Sequence, residues 1–272
     1  MRVKCGRFTL EGLSISTVET YIKVAELNLI FDIGRGPRDG VNLDHCLLTH
    51  GHQDHALGLS KYISTRGLLD MAPPTIYAPA EIIDDLENLI RAWERLECRR
   101  SRCDYHMVPM YAGQEVELRR GLRILPFRTD HSVPSLGYAV IEERHKLKPE
   151  YLGMPGPEIA RRRHAGEDLL YTMREPLVTF VGDSTIRPFD EVPIVRTSDV
   201  LILESTFLHE EDRKDAARKK HTHLGEVIER LDAFQGRLLV LSHFSTRYAR
   251  SEIEDVIGQI PEQHRAKVRL LY

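Results

Sequence analysis

The chain lacks the features that mark exported or membrane proteins. Its 272 residues include only four cysteines, Cys5, Cys46, Cys98 and Cys103, with no paired spacing. Cys98 and Cys103 flank an arginine-rich segment that does not resemble a metal-binding knuckle. Neither a long apolar run nor an N-terminal signal-peptide pattern is present. We therefore expect a cytoplasmic protein with reduced thiols and no membrane partner.

An excess of positive charge is also missing. The formal net charge of −3 argues against a generally basic nucleic-acid-binding protein. It does not exclude RNA, because phosphate contacts depend on local basic patches and on bound metal ions. Internal repeats, low-complexity segments and linkers are absent as well. The sequence therefore predicts one domain over residues 1–272 that buries a large core.

The most informative feature present is the polar motif THGHQDH at residues 49–55, which follows an apolar, strand-like segment. The alternating His50 and His52 can converge on one cation, and Asp54 and His55 can serve a second. Two cations about 3.5–4 Å apart can act together on a phosphoryl or acyl group.

Three more candidate ligands, His131, Asp183 and His243, each follow an apolar segment that predicts a β-strand. Side chains at strand ends are positioned by a rigid scaffold. The seven donors together would give two metals open shells of roughly four to five ligands, with a shared carboxylate and a water.

Several motifs together resemble ribonuclease Z, a metallo-β-lactamase-superfamily enzyme that removes 3′ trailers from precursor tRNA. The resemblance covers nearly the whole chain and is closest to the short, plant-like form. It implies a four-layer αβ/βα sandwich with two metals at the mouth between its sheets. The motifs are FDIG at 31–34, the histidine motif, FVGDST at 180–185, LESTF at 203–207, HTHL at 221–224 and HFSTRY at 243–248.

We assign the donors to two metals, and the chemistry of imidazole and carboxylate favours Zn²⁺, with Mn²⁺ or another divalent ion as the alternative. Two such ions would lower the pKa of a bound water to about 7. Asp54 would orient that water or accept its proton, and Asp32 would accept a hydrogen bond from a ligand histidine. The assignment is His50, His52 and His131 for one metal, Asp54, His55 and His243 for the other, and Asp183 as the bridge.

The leaving 3′ oxygen of a phosphodiester must be protonated, and the resemblance assigns this role to a Glu–His dyad. It corresponds here to Glu204 and His221, and a carboxylate beside an imidazolium keeps that proton available at neutral pH. His223, two residues further on, is the competing candidate. We prefer His221 because it aligns with the histidine of the family.

A short insertion near residues 143–175, here called the arm segment, interrupts the regular pattern. A Gly/Pro-rich stretch at 152–158 precedes the basic triplet Arg161, Arg162 and Arg163. In ribonuclease Z an arm at this place grips tRNA, so the triplet is a candidate for phosphate contacts. The alternative is a surface helix with a solvated basic face.

A repeat of apolar residues at helical spacing, from Ile82 to Trp93, predicts an amphipathic helix. On this pattern we expect Trp93 to be a core residue and not a base-stacking platform.

The prediction from sequence is thus a zinc-dependent endoribonuclease that acts on precursor tRNA as a homodimer, as short family members do. The alternative is a hydrolase of the same fold that acts on a small phosphodiester or an ester. A third class, an RNA-binding protein without turnover, fits poorly with a complete ligand set. The dyad favours a phosphodiester over a lactam or thioester.

Overall fold

The computed structural model describes residues 1–98 and 104–272. Cys103 is not among them, so the prediction that Cys98 and Cys103 form no metal knuckle lies outside the described residues. Two seven-stranded sheets form the centre of the fold. The strands of the first sheet are Arg2–Cys5 (β1), Phe8–Ile15 (β2), Glu19–Val24 (β3), Leu29–Phe31 (β4), His45–Leu47 (β5), Thr75–Pro79 (β6) and His106–Met110 (β7).

The second sheet repeats this organisation, and its seven strands also lie side by side in chain order. In each sheet one half is antiparallel and the other parallel: β4 to β7 are parallel in the first, and β11 to β14 in the second. The strands of the second sheet are Val116–Arg119 (β8), Leu122–Arg128 (β9), Leu136–Leu147 (β10), Leu170–Phe180 (β11), Val200–Glu204 (β12), Leu238–Ser242 (β13) and Val268–Leu270 (β14).

Helices cover the outer face of each sheet. One apolar core, which includes Phe31 and Phe180, lies between the two sheets, because alternate strand residues point to this face. A second apolar core packs the helices that follow β5 and β6 against the first sheet, and a third packs the later helices against the second sheet. The α-helices are Gln53–Ala56 (α1), Leu59–Leu68 (α2), Ile83–Leu96 (α3), Gly156–His164 (α4), Arg187–Glu191 (α5), Pro193–Thr197 (α6), Arg213–Lys219 (α7), Leu224–Ile228 (α8), Arg250–Gln259 (α9) and Glu262–Arg265 (α10).

This arrangement of helix, sheet, sheet and helix confirms the predicted four-layer sandwich. The predicted strands before the candidate ligands are confirmed too, as β5, β9, β11 and β13. The carboxyl ends of parallel strands meet at one edge of a sheet, where open α/β sheets bind ligands. The fold therefore brings loops that are far apart in sequence to one mouth between the sheets.

The arm segment is built on the two longest strands of the second sheet. Strands β10 and β11 pair antiparallel from Tyr138 and Phe180 out to Leu147 and Leu170, and α4 lies between them in sequence. The outer half of this hairpin is largely exposed, in contrast to the buried inner half. The basic triplet lies on α4.

The prediction that Trp93 belongs to the core is wrong. The amphipathic helix exists as α3, and Leu86 and Ile90 are buried on it. Leu89 and Trp93 lie on the same stripe but are 59% and 50% exposed. The apolar stripe is wider than the surface that the first sheet and α2 can cover, so its edge faces solvent.

No helix of the described chain combines the length and the apolar character that crossing a membrane requires.

Candidate metal centre and catalytic dyad

At the mouth between the sheets, all seven predicted ligands come together in two neighbouring groups. Their donor atoms lie within 4.8 Å of one another in each group. Loops from both sheets contribute, so the site exists only when the sheets are packed. The groups are His50, His52, His131 and Asp183, and Asp54, His55 and His243.

In the first group three imidazole nitrogens face each other. His52 Nδ1 lies 3.0 Å from His50 Nε2 and 3.3 Å from His131 Nε2. Asp183 Oδ2 is 3.9 Å from His50 Nε2. Three nitrogens at this spacing cannot all be satisfied by protons, whereas one cation among them can bind all three.

The second group places its imidazole nitrogens around two carboxylates. Asp54 Oδ2 is 3.7 Å from His55 Nε2 and 3.6 Å from His243 Nε2. Asp183 Oδ1 is 3.5 Å from His55 Nε2 and 3.4 Å from His243 Nε2. The two oxygens of Asp183 thus face different groups, which is the geometry that a bridging carboxylate requires.

On the side of the first sheet, a threonine and a carboxylate fix the outer nitrogens of two histidines. Asp32 Oδ2 accepts from His55 Nδ1 at 2.7 Å, and the Thr49 hydroxyl donates to Asp32. Because the hydrogen of that hydroxyl points to Asp32, its oxygen accepts a hydrogen bond from His50 Nδ1, at 2.9 Å. Each of these histidines therefore has its Nδ1 engaged outside the site and turns its Nε2 toward the site.

The second sheet supplies the same device. The Thr206 hydroxyl donates to Glu204 and accepts from His243 Nδ1 at 3.0 Å. His131 Nδ1 lies 3.2 Å from the backbone oxygen of Lys220, to which it donates. His243 and His131 therefore also turn their Nε2 atoms toward the site.

The donor set fits a pair of metal ions. The Nε2 atoms of His55 and His243 are buried and have no hydrogen-bond partner among the residues that the structure describes. A buried polar atom without a partner costs about 1–3 kcal/mol, so it signals a missing ligand. Imidazole and carboxylate are the donors that Zn²⁺ prefers.

The pKa shifts follow from burial and from the carboxylates. Burial lowers the pKa of His50 well below its usual value, and it lowers the pKa values of His52 and His131. Burial also lowers the pKa of His55, but Asp183 and Asp32 outweigh it and raise this pKa well above normal. Metal ligands must be unprotonated, so metal binding would displace a proton from His55.

The two carboxylates among the predicted ligands, Asp54 and Asp183, are held ionised. Burial raises the pKa of Asp54, but the nearby imidazole of His243 and the charge of His55 lower that pKa to about 2. Burial likewise raises the pKa of Asp183, which His243 and His55 hold well below normal. The backbone amide of Thr17 also donates to Asp54 at 2.8 Å, which fixes the carboxylate over the site.

Unusual backbone conformations are concentrated in these loops. Asp32 and His243 have φ angles of 53° and 61°, in the left-handed region that residues other than glycine rarely adopt. Gly182, just before Asp183, has a φ of 70°, and a Cβ there would lie 2.9 Å from the Thr49 side chain. Glycine at 182 therefore lets the two sheets approach closely enough to share Asp183.

The structure separates the two candidate acids. His221 Nδ1 lies 2.9 Å from Glu204 Oε1, and its ring centroid is 5.1 Å from that of His131. Burial lowers the pKa of His221, but Glu204 outweighs this and raises it to about 9. His223 instead caps α8: its Nδ1 accepts from the Gly225 amide and its Nε2 donates to the His209 carbonyl.

The sequence reasoning missed Thr49, Thr206 and the Lys220 carbonyl, which orient the ligand histidines. The two threonines could have been found from the sequence, since Thr49 lies in the THGHQDH motif and Thr206 lies in the LESTF motif beside predicted site residues. The Lys220 carbonyl carries no side-chain signal. The basic triplet lies apart from this site, on α4.

Comparison with known proteins agrees with this geometry. Residues 28–244 match the family model of the beta-lactamase superfamily domain. The chain is 36% identical over 260 residues to tRNase Z TRZ1 of Arabidopsis thaliana, covering 93% of this chain and 91% of that one. It is 32% identical to chloroplastic tRNase Z TRZ2 of the same plant, covering 98% and 75%. The solved structure of human tRNase Z, short form, is similar with a TM-score of 0.63 at 17% identity, covering 96% and 94%.

Proposed function

Because the chain belongs to the ribonuclease Z family of the metallo-β-lactamase superfamily, we propose that it is a zinc-dependent endoribonuclease that removes 3′ trailers from precursor tRNA. Like its family, it is a metal-dependent hydrolase. The reaction is hydrolysis of the phosphodiester after the discriminator base. The products are a tRNA with a 3′-hydroxyl and a trailer with a 5′-phosphate.

The observation that carries this proposal is the Glu204–His221 pair at the edge of the ligand cluster. A ribose 3′-alkoxide is a poor leaving group and needs a proton as the P–O bond breaks. His221 has a raised pKa and therefore holds that proton at neutral pH. This pairing supports phosphodiester chemistry.

The residues divide the remaining work. The two ligand groups would hold one Zn²⁺ each, with Asp183 shared between them, and the ions supply a water of lowered pKa and neutralise phosphate charge. Asp54 is ionised and fixed by the Thr17 amide, so it can orient the attacking water or take its proton. Glu204 holds His221 in place and keeps it charged. Asp32 and Thr49 keep two ligand rings in register.

RNA contact by the arm segment is part of the proposal. Arg161, Arg162 and Arg163 lie on α4, where Arg161 and Arg163 are exposed and Arg162 is half-buried. Glu158 pairs with both Arg161 and Arg162. Arg163 makes no ion pair with any residue that the structure describes, so its charge is fully available to phosphate.

A homodimer is also part of the proposal. An apolar groove of about 400 Å³ runs between α2 and α3, next to exposed Leu57 and Trp93. It continues beside Gly51 and Gln53 of the ligand motif, where Leu89 joins it. A second copy of the chain is the occupant we propose for this face, because the groove ends at the active site that a partner's arm segment would serve.

We propose a cytoplasmic location as well. The thiols of Cys5 and Cys46 are free and buried, and burial raises the pKa of Cys5 to about 11. Unpaired thiols are typical of a reducing compartment. Cell fractionation with compartment markers tests this point, and recovery in an organelle fraction would contradict it.

The direct test is incubation of the purified protein with a precursor tRNA that carries a 3′ trailer, with and without added Zn²⁺ or Mn²⁺. We expect a cut after the discriminator base that leaves a 3′-hydroxyl and a 5′-phosphate. His52→Ala and Asp183→Ala should lose metal and activity together. Turnover of a small phosphodiester without cleavage of the precursor would instead favour the small-substrate hydrolase.

A further inference from the structure

A cavity of about 270 Å³ lies beside the loop that carries His131. The loop joins β9 to β10, and a hydrogen bond of 2.5 Å between the hydroxyls of Thr129 and Ser135 closes its base. Met110 and Leu136 are buried and contribute an apolar floor. The cavity is thus built from the same loop as a metal ligand, yet it lies outside the ligand cluster.

The cavity has an aromatic wall and two charges. Tyr111 is 55% exposed, and its side chain makes no hydrogen bond or ring contact with any described residue. Arg128 and Glu81, also on the wall, are exposed and form no ion pair with each other or elsewhere in the described chain. Surface arginines of this protein are mostly paired with carboxylates, so an unpaired guanidinium beside an unpaired ring is a distinctive combination.

These groups match a nucleobase better than a bare phosphate. Single-stranded RNA is recognised by stacking of bases on aromatic rings and on guanidinium planes. A carboxylate in the same wall opposes a phosphate but can accept from an exocyclic amino group. The volume is below the range of about 300–1,000 Å³ typical of pockets for drug-sized ligands, which suits a single base.

The position of His221 indicates which base this is. In the second sheet, β12 with Glu204 lies on one side of β11, and β10 and β9 lie on the other. His221 therefore meets His131 from the β12 side, whereas the cavity opens among β7, β9 and β10. The proton of His221 goes to the 3′ oxygen of the tRNA portion, so the strand on the far side of His131 belongs to the trailer.

We propose that this cavity binds the nucleobase of the first trailer nucleotide, with Tyr111 as the stacking platform. The inference rests on the proposed function and adds a contact on the trailer side of the cut. It makes Tyr111 and Arg128 determinants of cleavage efficiency that do not touch the metals.

The test is a double-mutant cycle between protein and RNA. Wild type and Tyr111→Ala are assayed on precursor tRNA with an intact or an abasic first trailer nucleotide. Each single change should lower kcat/KM roughly 5- to 150-fold, the equivalent of about 1–3 kcal/mol of base stacking. The combination should add little further loss. Tyr111→Phe, which keeps the ring, should retain most of the wild-type kcat/KM. Arg128→Lys, which keeps the charge but loses the planar guanidinium, should have a lower kcat/KM than wild type.

Metal content and thermal unfolding of each variant show whether it is folded and loaded. Additive losses, or coupling of Tyr111 to an abasic discriminator nucleotide instead, would overturn the inference while leaving the proposed function intact. If wild type fails to cleave the intact precursor, the proposed function falls, and the inference falls with it.

Discussion

At the scale of single residues, each sheet contributes one threonine–carboxylate pair that aims histidines at the site. Thr49 with Asp32 serves His50 and His55, and Thr206 with Glu204 serves His243. Glu204 also serves the candidate acid His221. The hydroxyl of Thr206 therefore links His243, a predicted metal ligand, to the candidate acid His221 through Glu204.

The Thr206 link predicts that Thr206→Val weakens metal binding. Valine has nearly the shape of threonine, but it removes the hydrogen bonds to Glu204 Oε2 and to the Nδ1–H of His243 in a buried place. We expect a 10- to 100-fold loss of zinc affinity, the usual scale for a lost outer partner of a metal ligand. Competition with a chelator measures it. Thr206→Ser should recover the affinity, and a Val variant with wild-type zinc affinity would show that the link is unimportant.

The dyad predicts a pH effect. His221 acts in its protonated form, and Glu204 raises its pKa to about 9. Cleavage should therefore decline as the pH rises through that region. Glu204→Gln removes the negative charge, so the pKa of His221 falls and the decline should begin at lower pH.

The measurement is the pH profile of kcat on precursor tRNA for both proteins at saturating zinc. An activated phosphodiester such as a p-nitrophenyl ester is the control, because its leaving group needs little protonation. Its basic limb should shift much less. Identical shifts on both substrates would mean that Glu204 acts on the fold or on the metals.

At the scale of elements, neighbouring carboxylates neutralise part of the positive charge on α4 of the arm segment. Glu158 and Glu167 already pair with Arg161 and Arg162. Exposed ion pairs contribute little to stability, so phosphate can compete with them. The basic triplet is therefore weaker as a phosphate site than three arginines suggest.

Replacing Arg161, Arg162 and Arg163 together with alanine should weaken tRNA binding and flatten its salt dependence. Each lost phosphate contact should reduce the slope by about one unit. Turnover of a small phosphodiester should be unaffected, since such a substrate cannot reach α4. Binding titrations at several salt concentrations measure this.

Glu158→Gln is the matched control for the triplet, because it removes the carboxylate that pairs with Arg161 and Arg162 without adding a positive charge. It should tighten tRNA binding. If neither the triple variant nor this one changes binding, the triplet is a solvated helix face, and the RNA-binding role of the arm segment fails.

At the scale of the whole molecule, the exposed edge of α3 bears on assembly. Exposed apolar patches of this kind often mark protein interfaces. Leu57, Leu89 and Trp93 are each half exposed or more beside a groove that ends at the ligand motif.

Trp93→Glu should convert the proposed dimer to a monomer, because a charge would have to be buried in the interface. Sedimentation velocity across a range of concentrations detects the change. Leu69→Glu, at an exposed leucine just after α2 that does not line the groove, is the matched control and should leave the dimer in place. A wild-type protein that sediments as a monomer at all concentrations would contradict the proposed assembly.

What the sequence determined by itself was the set of parts. Apolar runs ending in His131, Asp183 and His243 predicted strands, because strand length and β-branched composition are local properties. The THGHQDH motif likewise predicted a group of metal ligands, because the spacing of residues within one short loop is also a local property. The apolar stripe likewise predicted α3, although not the exposure of Trp93.

Only the tertiary structure decided which surfaces and atoms meet. Trp93 is exposed because coverage by the first sheet and α2 runs out, which no periodicity reveals. His223 is a helix cap and His221 lies against Glu204, although they are only two residues apart, because a β-bridge to Phe207 holds the backbone between them. The carbonyl of Lys220 orients His131 from 89 residues away. Such contacts depend on how two sheets pack, and that information is spread over the whole chain.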